Sequence, residues 1–279
     1  MAAVPVATPR GRPRPRRWGA EPYAAEVRIV TWNIELGRDV DGAITCLSDR
    51  PELAGADLLL LQEMDELGVA RLAEALGLNH TYRPSVVHPK TGRPFGNAVL
   101  TPHEIVDVRP VALPHRARVS GVERLAVEAT VATPSTLVRA VSVHTEIPLL
   151  SLRRRREQFR IVAEAARSGP GPVIVGGDFN TAGPRSRRAL VSTMTGHGLE
   201  PLPDGTWATL SRFGRSFHLD HLFGHGVQAV AGGSSGPHPA SDHAPVHAVV
   251  ELRPETDGED RRPVQAHHRI GRGSSRPGS

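Results

Sequence analysis

The sequence predicts an α/β (α+β) fold in which two sheets pack against each other and helices cover them on the outside. Three observations predict it. Short β-rich runs alternate with helical patterns through residues 27–252. Hairpin signals interrupt that alternation, which excludes a purely parallel, doubly wound sheet. Five apolar strands end in an acid, an amide or a histidine, so their ends are expected to meet.

The elements follow in order. Residues 27–32 read as a strand. Residues 57–61 (DLLLL) are continuously apolar and read as a strand buried on both faces. In 68–76, Val69, Leu72, Ala73 and Leu76 recur at helical spacing. Residues 97–101 form a strand. Leu125, Val127, Ala129 and Val131 alternate within 124–131, a half-buried strand. Residues 138–144 pair with it across the turn at Thr133-Pro134-Ser135. Residues 151–167 are a helix capped by Ser151, with Phe159, Ile161, Val162 and Ala165 as its apolar positions. Gly-Pro-Gly-Pro at 169–172 ends that helix. A strand at 173–175 runs into Gly176-Gly177, and 219–223 and 244–252 are the last strands.

A chain of 279 residues with 39% hydrophobic and 23% charged residues is not disordered as a whole. One cysteine, Cys46, excludes an intramolecular disulfide and a cysteine-based zinc cluster, and reads as a small buried hydrophobe. No apolar run approaches the ~18 residues of a membrane-spanning helix. The basic start lacks the apolar stretch of a signal peptide, so a cytoplasmic location is expected. The net charge of +5 resembles that of a nucleic-acid binder, but its placement argues against that reading. Residues 1–26 hold five arginines against two acids, and residues 253–279 hold six against four. The body between them is neutral. Lys90 is the only lysine against 33 arginines, a skew that fits genomic base composition. Residues 1–26 and 253–279 are expected to be disordered arms flanking one domain at 27–252, and the chain is expected to be a monomer.

Chemistry concentrates at the strand ends. Asn33 and Glu35 follow one strand, Gln62 and Glu63 the next, and His144 a third. Asp178 and Asn180 follow Gly-Gly, Asp220 and His221 sit in a late strand, and Asp242-His243 precede the last one. Charges at buried strand ends are costly unless they hold a cation or one another. Carboxylate and amide oxygens without thiols suit Mg²⁺ or Mn²⁺. Histidines beside them can stabilise phosphoryl charge or move protons. Together these groups equip a site for phosphoester hydrolysis.

The ordered set WNI with Glu35, LQE, GNAVLT, VSVH, GGDFN, LDH and SDH resembles the endonuclease/exonuclease/phosphatase superfamily, the DNase I-like metal-dependent phosphoesterases. The resemblance covers about residues 27–252. It implies a four-layer α/β/β/α sandwich and roles for particular residues. Glu63 matches the principal metal ligand, with Asn33, Glu35 and Asp242 near the metal. Asp178 matches the group that aligns or deprotonates water, and Asn180 a phosphate-holding residue. His243 matches an imidazole on the scissile phosphate, with Asp220 as its partner, and His144 the second histidine. Asn97 and Arg124 are expected to line the substrate site. The implied partner is a phosphoester: nucleic acid, phospholipid head group or sugar phosphate.

Plainer readings exist for single motifs. Asp-Phe-Asn after two glycines can be a turn, Glu63 can cap the helix that follows it, and His221 can replace His243. The Arg153–Arg156 run reads mostly as a solvated helix face, the lesser reading being that one member reaches the substrate phosphate. The alternative function is a non-catalytic nucleic-acid-binding protein that uses this scaffold and the basic arms.

Overall fold

A computed structural model describes residues 26–87, 92–116, 123–203, 207–212 and 215–253. The expected arms lie almost wholly outside the described residues.

The first half contains β1 (Glu26–Asn33), α1 (Val40–Asp49), β2 (Leu58–Met64), α2 (Glu66–Leu76), β3 (Asn79–Val87) and β4 (Pro94–Thr101). The second contains β5 (Glu104–Ala112), β6 (Leu125–Ala132), β7 (Leu137–His144), α3 (Leu152–Ala166), β8 (Val173–Asp178) and α4 (Pro184–Thr195). It continues with β9 (Glu200–Pro201), β10 (Leu210–Arg212), β11 (Arg215–Phe217) and β12 (Asp220–His225). β13 (Val227–Ser234) and β14 (Val246–Leu252) return to the first sheet.

One six-stranded sheet runs β13-β14-β1-β2-β4-β3 and the other β5-β6-β7-β8-β12-β9. β10 and β11 form a separate ribbon. Three apolar layers separate four structural layers. Ile29, Leu58, Leu60, Val99, Val127, Ala140 and Ile174 fill the space between the sheets. Trp32, Leu47, Leu61, Val69 and Leu72 join α1 and α2 to the first sheet. Phe159, Val162, Val175, Leu190 and Phe223 join α3 and α4 to the second. The fold is therefore the expected α/β/β/α sandwich.

Each sheet is organised by one crossover unit, β1-α1-β2 and β7-α3-β8, whose strands are parallel. Carboxyl ends of parallel strands gather at one edge, where ligands bind in open α/β sheets. That edge carries Asn33 and Glu63 from the first sheet and His144 and Asp178 from the second. Gly176 lets the sheets close up behind it: a Cβ there would lie 2.6 Å from Leu222 Cδ2 and 2.7 Å from Leu60 Cδ1.

Two details depart from the sequence expectations. Ser151 occupies the N-cap of α3 but makes no side-chain capping bond. On α3, Ile161 and Ala165 are only partly covered, while Arg155, Gln158, Phe159, Val162, Ala163 and Ala166 are buried.

Candidate active site

Register places the central pair. β7 and β8 align His144 with Asp178, and β8 and β12 align Asp178 with Asp220. Three titratable side chains thus stand side by side across neighbouring strands. His243 reaches them from the loop before β14, where Ser241 Oγ donates to Asn33 O at 2.6 Å and Trp32 Nε1 donates to His243 O at 2.8 Å.

Asp220 is fully buried, and its Oδ2 lies 2.8 Å from His243 Nδ1. Thr209 Oγ1 fixes the start of β12 by accepting from the backbone N–H of Leu219 at 3.0 Å and of Asp220 at 3.2 Å. Burial opposes charge on His243, but the Asp220 carboxylate, with Asp178 and Asp242, overrides it and pushes the pKa up to about 10. His243 is therefore an imidazolium whose free Nε2–H lies 3.9 Å from Asp178 Oδ2.

His144 is held in the opposite state. Burial first, then the positive Arg124 and His243, press its pKa well below 6.5. Arg124 Nη1 lies 3.1 Å from His144 Nδ1. Guanidinium only donates, so Nδ1 accepts and the ring proton sits on Nε2. That Nε2 is 3.5 Å from Asp178 Oδ2 and 3.9 Å from Glu63 Oε1.

Asp178 is the hub. Asn180 N–H donates to its Oδ1 at 2.8 Å and Asn33 Nδ2 to its Oδ2 at 3.2 Å. Desolvation and the neighbouring Asp220 raise its pKa to about 7, against His243 and the Asn180 amide. Asn180 adopts a left-handed φ of 51° and ties its side chain to Thr145 O at 3.0 Å. The Asp-Phe-Asn segment is the end of β8 and the irregular chain that leaves it, not a turn, and its contacts hold Asn180 in a left-handed conformation that a non-glycine residue keeps only where the surroundings impose it.

Glu63 sits where β2 and β4 lose register, at φ 56°. It does not cap α2; Asp65 does, accepting from Gly68 N. Its side chain keeps 23% exposure. Desolvation raises its pKa, against Arg124, His243 and Asn33, while Asp242 raises it further. Such a carboxylate ionises readily only with a cation beside it. Asp242 is exposed at the rim. Glu63, Asn33 and Asp242 offer oxygen atoms of the kind a hard divalent cation takes, and Asn33 Oδ1 also accepts from Glu35 N–H at 3.0 Å. Glu35 is placed differently: Oε1 accepts from Arg38 Nη1 at 2.9 Å and Oε2 from Asp242 N–H at 3.1 Å. It clamps the loop that carries Asp242 and His243. Asp178, Asp220 and His243 also offer donor atoms within 4.8 Å of one another. His243 Nδ1 and Asp220 Oδ2 are committed to each other, so that trio reads as an internal charge cluster.

Asn97 and Arg124 stand behind the site. Asn97 Nδ2 donates to Leu125 O at 2.8 Å and Ser142 O at 3.3 Å, joining the sheets. Arg124, buried between His144 and Glu146, orients the histidine. His221 is excluded from the His243 role, because its Nε2 bonds Thr181 Oγ1 at 2.7 Å and its ring stacks on His218 at 4.2 Å.

One residue escaped the sequence reading. Arg155 is buried, and its Nη1 donates to Asn180 O at 2.7 Å. The signal was present, since Arg155, Phe159, Val162 and Ala166 form one helical stripe.

Residues 30–243 match the Endonuclease/Exonuclease/phosphatase family. No curated protein sequence matches the chain significantly. Solved structures share its fold. An endonuclease/exonuclease/phosphatase from Bacteroides vulgatus superposes with a TM-score of 0.66 at 18% identity, over 82% of this chain and 100% of its own. One from Beutenbergia cavernae gives 0.66 at 23%, over 82% and 72%. D. rerio TDP2 complexed with a single-strand DNA product gives 0.65 at 17%, over 82% and 100%. With the matched segment spanning both sheets and every strand end of the site, the chain belongs to the endonuclease/exonuclease/phosphatase family.

Proposed function

We propose that the chain is a divalent-metal-dependent hydrolase of phosphoester bonds, acting on a diester or monoester by in-line attack of water. The observation that carries this reading is the convergence of His144 Nε2 and His243 Nε2 on Asp178 Oδ2, at 3.5 and 3.9 Å.

Asp178 is the proton acceptor for the attacking water. Its two oxygens are aimed by Asn33 Nδ2 and the Asn180 N–H, and a pKa of about 7 matches the pH at which a base works best. His243 and His144 each present an Nε2–H to the same space, one charged and one neutral. They hold the non-bridging oxygens and stabilise the charge that develops there. Asp220 keeps His243 protonated, and Arg124 keeps the proton of His144 on Nε2. When bound at Glu63 with Asn33 and Asp242, Mg²⁺ or Mn²⁺ supplies Lewis-acid charge to the phosphoryl group.

The test is a substrate panel assayed with Mg²⁺ and with EDTA. The panel contains single- and double-stranded DNA, RNA, bis-p-nitrophenyl phosphate, inositol phosphates and sphingomyelin. Turnover of at least one substrate with Mg²⁺, abolished by EDTA, is expected. Nucleic-acid binding without turnover of any substrate would favour the non-catalytic alternative.

A further inference from the structure

The neutral body conceals a local imbalance. Residues 152–199 hold nine arginines against three acids, one of them Asp178. Topology decides where that charge stands. α3 follows β7, which ends at His144, and α4 follows β8, which ends at Asp178. Both helices therefore start at the active-site edge of the second sheet, with their positive poles towards it.

Neither helix has an acid in its first turn, where acids are normally favoured. Arginines occupy those positions. Arg153, Arg154 and Arg156 on α3 and Arg185 and Arg188 on α4 are exposed, and Arg187 is half-buried. The α3 glutamates are engaged elsewhere, Glu157 with His115 and Glu164 with Arg160. Among the described residues, none of these six arginines has an ion-pair partner. Like charges at the positive ends of two helices repel unless an anion shares them. Adjoining grooves of about 540 and 670 Å³ lie between the helix starts, lined by Arg155, Arg156, Arg185 and Arg188. Arg155 is only 3% exposed, and its Nε has no hydrogen-bond partner.

We propose that this α3–α4 face tracks the phosphates of a single-stranded polynucleotide that continues past the active site. The assignment of the scissile phosphate rests on the phosphoesterase reading; the binding does not. Two observations select a polynucleotide over an anionic membrane. Ala182, Gly183 and Pro184 separate the arginine groove from a cavity of about 260 Å³ lined by the half-buried Trp207 beside Arg187. Aromatic rings beside a basic track bind stacked bases and backbone together. The chain leading into α3 contributes one well-exposed large hydrophobe, Leu149 at 68%. A single exposed leucine is one weak signal, and a stable membrane anchor takes more than one.

The test uses the full chain in EDTA buffer, so that binding is read without turnover. A fluorescent oligo(dT) of about 20 nucleotides, long enough to span the site and the groove, is titrated by anisotropy at several salt concentrations. The comparison is between the parent and a variant carrying Arg153→Ala, Arg156→Ala, Arg185→Ala and Arg188→Ala. The variant is expected to bind at least ~10-fold more weakly at low salt, with a negative slope of log K against log salt that is shallower by about 3. All four side chains are exposed, so its melting temperature should stay near that of the parent. If the quadruple variant does not fold, Arg185→Glu and Arg188→Glu singly replace it. Unchanged affinity and slope would overturn the proposal, as would a parent that does not bind oligo(dT). Loss of binding to phosphatidylserine vesicles, with oligo(dT) binding intact, would also overturn it in favour of a membrane. Because no turnover enters the measurement, failure of the phosphoesterase reading in the substrate panel remains a separate result.

Discussion

His243 and His144 sit at one site in opposite charge states because their Nδ1 partners differ. An acid faces His243 and a guanidinium faces His144. Asp220→Asn tests the first half. Without the carboxylate, burial is the dominant influence left, and the His243 pKa should fall from about 10 to near or below 6.5. A titration followed by NMR of the imidazole reads that shift, and a midpoint still near 10 would contradict it. In turnover, Asp220→Asn and His243→Ala should each cost ~10²–10⁴-fold, and the double variant should be little worse than His243→Ala alone. Losses that multiply would show that the two act separately. At this scale the sequence was informative wherever a polar residue ended an apolar strand. Its motif order also picked out His243 over His221. It was silent on Arg155, because four consecutive arginines look solvated until the apolar stripe of α3 is traced back through position 155. The Glu35 clamp was equally hidden, since the Asp242 amide that it holds lies 207 residues further along the chain.

At the level of elements, the site depends on how closely β7 and β8 approach. Gly177 lies between them at φ 154°, and a side chain there would run into the backbone of Val143. Backbone cannot yield as a flexible side chain can. Gly177→Ala should therefore destabilise the fold by roughly 2–4 kcal/mol, read as a lower urea midpoint at unchanged slope. A midpoint within experimental error of the parent would show that the strands have slack. The central strands were legible in the sequence because burial on both faces leaves continuous apolar runs, as in β2 and β8. The edge strands β3, β5 and β13 were not singled out. Most of their residues face solvent and their pattern is diluted. Pro84 in β3 and Pro110 in β5 further mask them, since proline is tolerated at sheet edges and read as a break in sequence. Helices α1 and α4 were also not singled out, although one helix per crossover was implied by the alternation.

Across the whole molecule, stability and function draw on different buried histidines. His221 lies outside the reacting groups. Burial, then His218 and Arg187, hold its pKa well below 6.5. Below about pH 6.5 the unfolded chain binds a proton there that the folded chain refuses, so this group's share of stability is present above that pH and lost as pH falls. His221→Gln removes it. As pH falls below about 6.5 the variant's unfolding free energy should fall less steeply than the parent's; equal slopes would show that His221 is protonated in the folded state. Composition summed over the body gave neutrality, yet folding gathers the arginines of α3 and α4 on one face. A sum along the chain has no information about which faces meet. The central claim is that Glu63 holds the cation for a phosphoester hydrolase, and Glu63→Gln tests it most directly because shape is kept and charge removed. With bis-p-nitrophenyl phosphate and Mg²⁺ titrated to saturation, hydrolysis by the variant should fall by ~10²–10⁴-fold with an unchanged melting temperature. Full activity at saturating Mg²⁺ would contradict the account.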